Sequence, residues 1–216
     1  MDRYNSVNNT KNDFRIAFWK LYQRNPVEKI SVSELCRVAG YNRTTFYVYY
    51  DNIHDLLSRC IDEMIRPLEE HAGELQHIEA PENNEVIGRL YMTILKANEK
   101  RIRLLIEHHQ LYILEEKVKE IIKPVLYKMY RGESTPDSYF DYMLEYQMAA
   151  VFGVIAKWFD AQDLTEQEIV ELLIDCSQCG IAHLFHKNIA TGQEESAKDE
   201  RLLDQIITKL EVQEEE

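Results

Sequence analysis

The stretch ISVSELCRVAGYNRTTFYVYYDNIHDLL, residues 30–57, constrains the fold more than any other part of the chain. Ser31-Val32-Ser33-Glu34 forms a Ser-x-x-Glu capping box, whose side chains satisfy backbone N–H groups that a first helical turn leaves open. The helix it opens ends at Gly40, since glycine enters the left-handed conformation of a helix C-terminus without steric cost. Asn42 is a good N-cap for a further helix over roughly residues 43–49. Two short helices are therefore joined by a tight turn at Gly40-Tyr41-Asn42. Leu35, Val38 and Ala39 are placed to face inward with Phe46, Tyr50, Leu56 and Leu57. Arg43, Thr44, Tyr47 and Val48 are left outside, near the start of the second of these helices. A helix seated in the DNA major groove reads bases mainly from such N-terminal residues, and helix N-termini donate N–H groups to phosphate.

The surrounding pattern is helical throughout. Phe14, Ala17, Phe18, Leu21 and Tyr22 place a helix over 10–24, stopped by Asn25-Pro26. Asp51 or Asn52 caps a helix running to about Arg66, before Pro67. Residues 77–84 read as a linker. Helical patterns follow near 85–98, 99–109 and 111–131, with Lys123-Pro124 a candidate kink. Residues 132–136 break the pattern, and 137–160 are apolar on nearly every face. Thr165-x-x-Glu168 is a second capping box, opening a helix to about His186. A polar stretch, 188–196, precedes an amphipathic helix built on Leu202, Leu203, Ile206, Ile207 and Leu210. Seven glycines and five prolines in 216 residues agree with long helices rather than many short strands. The expected class is all-α: a small helix-turn-helix region over 1–62, followed by a larger helical region over 63–216.

Charge is distributed unevenly. Residues 1–60 hold nine Lys+Arg against six Asp+Glu, while the remainder holds sixteen against thirty-two. A basic end on an acidic body suggests that only the first segment meets phosphate. The opening MDRYNSVNNTKND is polar and no run of about 18 apolar residues occurs, so a cytoplasmic protein without a membrane span is expected. Cys36, Cys60, Cys176 and Cys179 sit in apolar helical patterns and read as reduced, buried thiols.

The 30–57 stretch resembles the DNA-binding region of TetR-family regulators: a Ser/Thr-capped helix, an Ala-Gly turn, Thr-aromatic-Tyr, an aromatic pair, then Leu-Leu. Here these are Ser31, Ala39-Gly40, Thr45-Phe46-Tyr47, Tyr49-Tyr50 and Leu56-Leu57. The resemblance covers about residues 10–60; beyond that it is architectural. It implies that Asn42 caps the recognition helix and contacts phosphate, and that Arg43 reaches a base edge or phosphate. It also implies that Thr44 lies close to DNA, Thr45 belongs to the same interface, and the Tyr47 hydroxyl binds phosphate. Val48 and Tyr49 face the groove or its wall, and Ser33 is a further phosphate contact. The family usually carries a lysine at the start of the fourth helix as a phosphate clamp. Here that position is Ile53, followed by His54. Either His54 replaces the clamp, or Ile53 packs in the core and backbone N–H groups meet that phosphate.

Residues 67–216 contain no nucleophile elbow, phosphate loop or paired-carboxylate motif, so no enzyme activity and no cofactor is expected. Cys176, Cys179, His183 and His186 share one side of a helix. The outer two lie about 15 Å apart along it, so the four cannot close one tetrahedral metal site; a packing face with Gly180 is expected, and no metal. Excess apolar surface on 139–159 and 166–186 points to a homodimer, whose two-fold axis suits a palindromic operator in double-stranded DNA. Tyr91, Met92, Leu95, His108, Tyr112, Tyr142, Met143 and Tyr146 are candidate walls of a pocket for a small apolar or aromatic effector, with plain core as the alternative. The expected function is a dimeric repressor released by such an effector. The alternative is a DNA-binding protein controlled by a protein partner.

Overall fold

A computed structural model of the chain describes residues 2–75, 84–130 and 137–176. Helix α1 (Asp2–Tyr22) buries Phe14, Ala17, Phe18, Leu21 and Tyr22, the face that the sequence spacing predicts. It begins at Asp2 rather than at residue 10, because no glycine or proline precedes Thr10 to stop it. After Asn25-Pro26 comes a short 3-10 turn, Val27–Lys29, that buries Val27.

Helices α2 (Val32–Ala39) and α3 (Arg43–Tyr49) follow, then α4 (Ile53–Leu75). Asn52 caps α4, accepting from the Asp55 N–H at 3.0 Å, while the Asp55 carboxylate accepts from the Asp51 N–H at 3.1 Å. The core of this first region is aromatic. The Phe14 ring lies 5.6 Å from Phe46 and 6.0 Å from Tyr50, both edge-on, the geometry that aromatic quadrupoles favour. Leu35, Phe46, Tyr50, Leu56 and Leu57 are buried as expected; Val38 and Ala39 are half-buried, and Cys36 fills the place beside Leu35.

Two expected boundaries moved. α4 does not end at Arg66 but runs through Pro67 to Leu75. Proline removes one N–H, yet Met64, Ile65 and Leu68 stay buried on both sides of it, so packing carries the helix across the break. Asn98 of the next helix also donates from Nδ2 to the Met64 carbonyl at 3.4 Å. That helix, α5 (Asn84–Glu107), is continuous where two separate patterns were expected. The polar run from Asn98 to Arg101 resembles a junction, but Asn98 is buried and Glu99 pairs with Arg103 one turn on, so the helix continues. It closes with His109 at φ 55° and the Gln110 N–H on the Leu105 carbonyl at 2.7 Å.

Helix α6 (Leu111–Tyr130) contains Pro124 without interruption and buries Leu114, Val118, Ile122 and Val125. Helix α7 (Asp137–Ala161) buries Phe140, Leu144, Met148, Val151, Phe152, Ile155 and Phe159. Thr165 and Glu168 then form the expected reciprocal cap, with the Thr165 N–H on Glu168 Oε2 at 2.8 Å and the Glu168 N–H on Thr165 Oγ1 at 3.3 Å. Helix α8, described over 166–176, follows. Among the described residues every regular element is helical.

By packing, the chain falls into a unit Met1–Glu171 and a unit Leu172–Glu216. The regions expected at 1–62 and 63–216 share α4, which crosses from one to the other as a single helix. α4 packs on both α5 and α6, and Lys117 of α6 pairs with Asp62 of α4. Cys179, His183, His186, Ile181 and the amphipathic pattern at 202–210 lie outside the described residues.

Candidate nucleic-acid interface and apolar cavity

The turn between α2 and α3 is built by three local bonds. Ser31 Oγ accepts from the Glu34 N–H at 3.2 Å and opens α2. Gly40 closes it at φ 79°, with the Tyr41 N–H on the Cys36 carbonyl at 3.0 Å. A side chain at position 40 would be strained in that conformation. Asn42 Oδ1 then accepts from the Thr45 N–H at 2.8 Å and from the Thr45 hydroxyl at 3.0 Å. Thr45 is thereby committed to bracing the cap of α3, while Asn42 Nδ2 and the open N–H groups of the first turn remain available for an anion.

Behind α3, Phe46 and Tyr50 are locked into the aromatic core, and the Tyr41 hydroxyl donates to Asp13 of α1 at 2.8 Å. In front, Arg43, Thr44, Tyr47 and Val48 are exposed, Val48 at 70%. Ser33 and His54 are exposed as well, and Tyr49 is half-buried. Arg43 Nη2 approaches the Tyr47 hydroxyl at 3.5 Å, with its guanidinium 6.0 Å from the ring centre. The outward face of α3 thus combines a bidentate-capable cation, a phenol, a small hydroxyl and a methyl-bearing side chain, a set able to address base edges and phosphate.

Ile53 packs inward. It is only 6% exposed, so it belongs to the core and does not point outward from the start of α4. Burial pushes the Cys60 thiol up to about 12 and the Cys36 thiol up as well, which keeps both protonated and unreactive.

The expected pocket residues that are described do not gather around one cavity of the protomer. Tyr112, Tyr142, Met143 and Tyr146 are exposed, Tyr142 at 78%, and none of them lines the cavity found among the described residues. The apolar residues of α7 serve two faces; the 140-144-148-151-155-159 set faces inward, which turns 139, 142, 143 and 146 outward. His108 is spent elsewhere: its Nε2 meets the Tyr22 carbonyl at 2.8 Å and its ring lies 4.6 Å from the Tyr22 ring, tying the end of α5 to the end of α1. Tyr91 and Met92 lie on α5, and their side chains fall outside the described ones. Among the described residues, a cavity lies between α4, α5, α6 and α7 and is walled by Leu68, Leu95, Ile102, Val118, Val151 and Phe152, among others. Of the eight expected residues, Leu95 lines it. Sequence spacing fixes which residues share a helix face but not which of two apolar faces closes on the core.

A family model described as a transcriptional regulator C-terminal region, of the TetR type, matches residues 82–178. Over that stretch the chain is similar to the C-terminal region of TetR-type transcriptional regulators. Its fold is similar to that of a TetR transcriptional regulator from Streptococcus agalactiae 2603V, at 18% identity and a TM-score of 0.60, over 82% of this chain and 98% of that one. It is also similar to a TetR-family regulator from Streptomyces coelicolor, at 12% identity and a TM-score of 0.55, over 92% and 99% of the two chains. No curated protein matches the chain. Among its described residues, no helix is long and apolar enough to cross a membrane, and no cluster of metal-ligating side chains occurs.

Proposed function

We propose that this regulator is a dimeric DNA-binding repressor that sets α3 in the major groove of a palindromic operator and is released by a small apolar or aromatic effector. One observation carries the DNA-binding part: α3 shows Arg43, Thr44, Tyr47 and Val48 to solvent while Phe46 and Tyr50 anchor its back. The exposed valine and tyrosine stand beside Arg43 and Thr44 on the same short helix, so apolar and polar contacts converge on one outward face. Arg43 reads a base edge, Tyr47 and Ser33 hold phosphate, Thr44 and Val48 pack toward the groove, and Tyr49 and His54 flank it. Asn42 and Thr45 fix the start of the helix.

Release is supported by where the cavity lies. Leu68, on its wall, belongs to the same helix whose first turn abuts the reading region. The cavity holds only about 30 Å³, so an effector must open it, and in doing so it pushes on α4 and shifts α3. The lining is aliphatic and aromatic, which suits an apolar ligand. Binding of labelled duplex from the region upstream of the protein's own gene tests the reading, with mixed-sequence duplex as control. Equal affinity for both would remove the sequence-specific repressor; specific binding that no apolar compound weakens would favour control by a protein partner.

Arg43 and Tyr47 are expected to fail differently. Arg43→Ala should cost about 1–3 kcal/mol and relax preference at one or two base pairs. Tyr47→Phe should weaken binding alike on specific and mixed duplex, since a phosphate contact carries no base information. Because the two side chains touch, the double variant should lose less than the two single losses added together. Competition titrations with point-substituted duplexes check this; identical base preferences in the wild type and Arg43→Ala would contradict it.

A further inference from the structure

We propose that Lys11 of α1 is a DNA-backbone contact, held beside the reading helix by the ring of Tyr49. Lys11 is exposed, and its Nζ stands 5.8 Å from the centre of the Tyr49 ring. It forms no ion pair with any carboxylate among the described residues. Tyr49 is the last residue of α3 and only half-buried, so its ring forms the flank of that helix. A helix with side chains is about 10–12 Å across and the major groove about 12 Å wide, so a cation on the flank of a helix seated there falls over the sugar–phosphate wall. An ammonium above a ring face keeps its outward N–H donors free for an anion while the ring restricts where the stem can wander.

The start of α4 supplies no such cation. Position 53 is a buried isoleucine, and the exposed residues around it are Asp51, Asn52 and His54. No lysine or arginine stands there. Lys11 comes from a different helix, 38 positions before Tyr49 in the chain, which is why the spacing of the helix-turn-helix stretch does not disclose it. Only the packing of Phe14 against Tyr41, Phe46 and Tyr50 brings that part of α1 alongside α3.

The proposal rests on the DNA-binding reading above, and the test separates the two. Affinity for a mixed-sequence duplex several helical turns long is measured across a salt series for the wild type, Lys11→Gln, Lys11→Arg, Tyr49→Phe and Tyr49→Leu. Each phosphate neutralised contributes a slope of about −0.9 in log K against log salt, so Lys11→Gln should flatten the slope by about 0.9 per protomer. A dimer engaging both heads should then lose roughly tenfold less affinity than the wild type over a fourfold rise in salt. Lys11→Arg should restore the slope. Tyr49→Phe keeps a ring under the cation and should keep the slope; Tyr49→Leu should flatten it. Thermal melting should be unchanged in Lys11→Gln, since the side chain is exposed. Wild-type binding with an unchanged slope in Lys11→Gln overturns this proposal alone. A wild type that binds no duplex overturns the DNA-binding reading and Lys11 with it.

Discussion

The double variant Tyr142→Glu/Tyr146→Glu is expected to be a folded monomer with greatly weakened operator binding. α7 turns Tyr139, Tyr142, Met143 and Tyr146 to solvent on one face while its other face fills the protomer core. Four large apolar side chains in neighbouring turns form a patch that a single protomer leaves uncovered. The face continues past the exposed Ala149 and Ala150 to Gly153, where an added Cβ meets nothing within 4 Å, so a second helix can approach closely there. Covering on the order of 100 Å² of each ring at about 25 cal/mol per Å² is worth about 2.5 kcal/mol per ring, and two-fold symmetry counts each ring twice. Introducing carboxylates removes that gain and adds like-charge repulsion across the axis. Dimer dissociation should become at least about a thousandfold easier, at 1.4 kcal/mol per factor of ten. Sedimentation equilibrium reads the change, and circular dichroism confirms the retained helices. Gly153→Leu is the complementary variant: open space around it should leave the protomer intact, and a bulky side chain should still part the pair. A monomeric wild type, or a double variant that stays dimeric, removes this face as the interface.

Phe152 shows why that variant had to come from the structure. On the sequence it stands among the residues pointing to a dimer, and a charge there looks like a clean way to split the pair. It is in fact buried, at the wall of the cavity, so a charged residue at 152 would attack the protomer itself. A helix apolar on all sides announces that both faces are covered without saying which cover is internal. The same ambiguity grouped Tyr142, Met143 and Tyr146 with inward-facing residues, whereas all three are exposed on the protomer. His108 carried no periodic signal at all; its bond to the Tyr22 carbonyl joins positions 86 apart, a tertiary contact that no local pattern encodes.

The helix-turn-helix stretch was legible almost residue by residue because its information is local. A serine cap, a glycine at φ 79° and an asparagine cap each act within four residues, and each stands where the spacing placed it. Pro67 misled for a related reason. Local chemistry ends a helix there, but the burial of Ile65 and Leu68 outweighs one lost N–H, and that burial depends on neighbouring helices. Legibility therefore fell wherever the deciding energy came from another element, as at α4, α5 and the outward face of α7.

Ile53→Lys is expected to destabilise the protein without strengthening its proposed grip on DNA. From the sequence alone, a lysine at the start of the fourth helix would add a phosphate contact in each protomer and steepen the salt slope by roughly 2 for a dimer. Ile53 is instead 6% exposed, packed inside the first turn of α4, where Asn52 and Asp55 already cap the helix. The replacement leaves an aliphatic stem in the core and an ammonium that must either desolvate or pull the stem outward. Losing most of that side chain's burial should cost about 3 kcal/mol, within the usual range for truncating a buried isoleucine. At about 2–4 °C per kcal/mol for a chain of this size, the melting temperature should fall by about 10 °C. The same salt series used for Lys11 supplies the second readout, and there the slope should stay at its wild-type value. A steeper slope together with an unchanged melting temperature would mean that the side chain at 53 reaches the DNA backbone. In that case the isoleucine is an empty clamp position rather than part of the core.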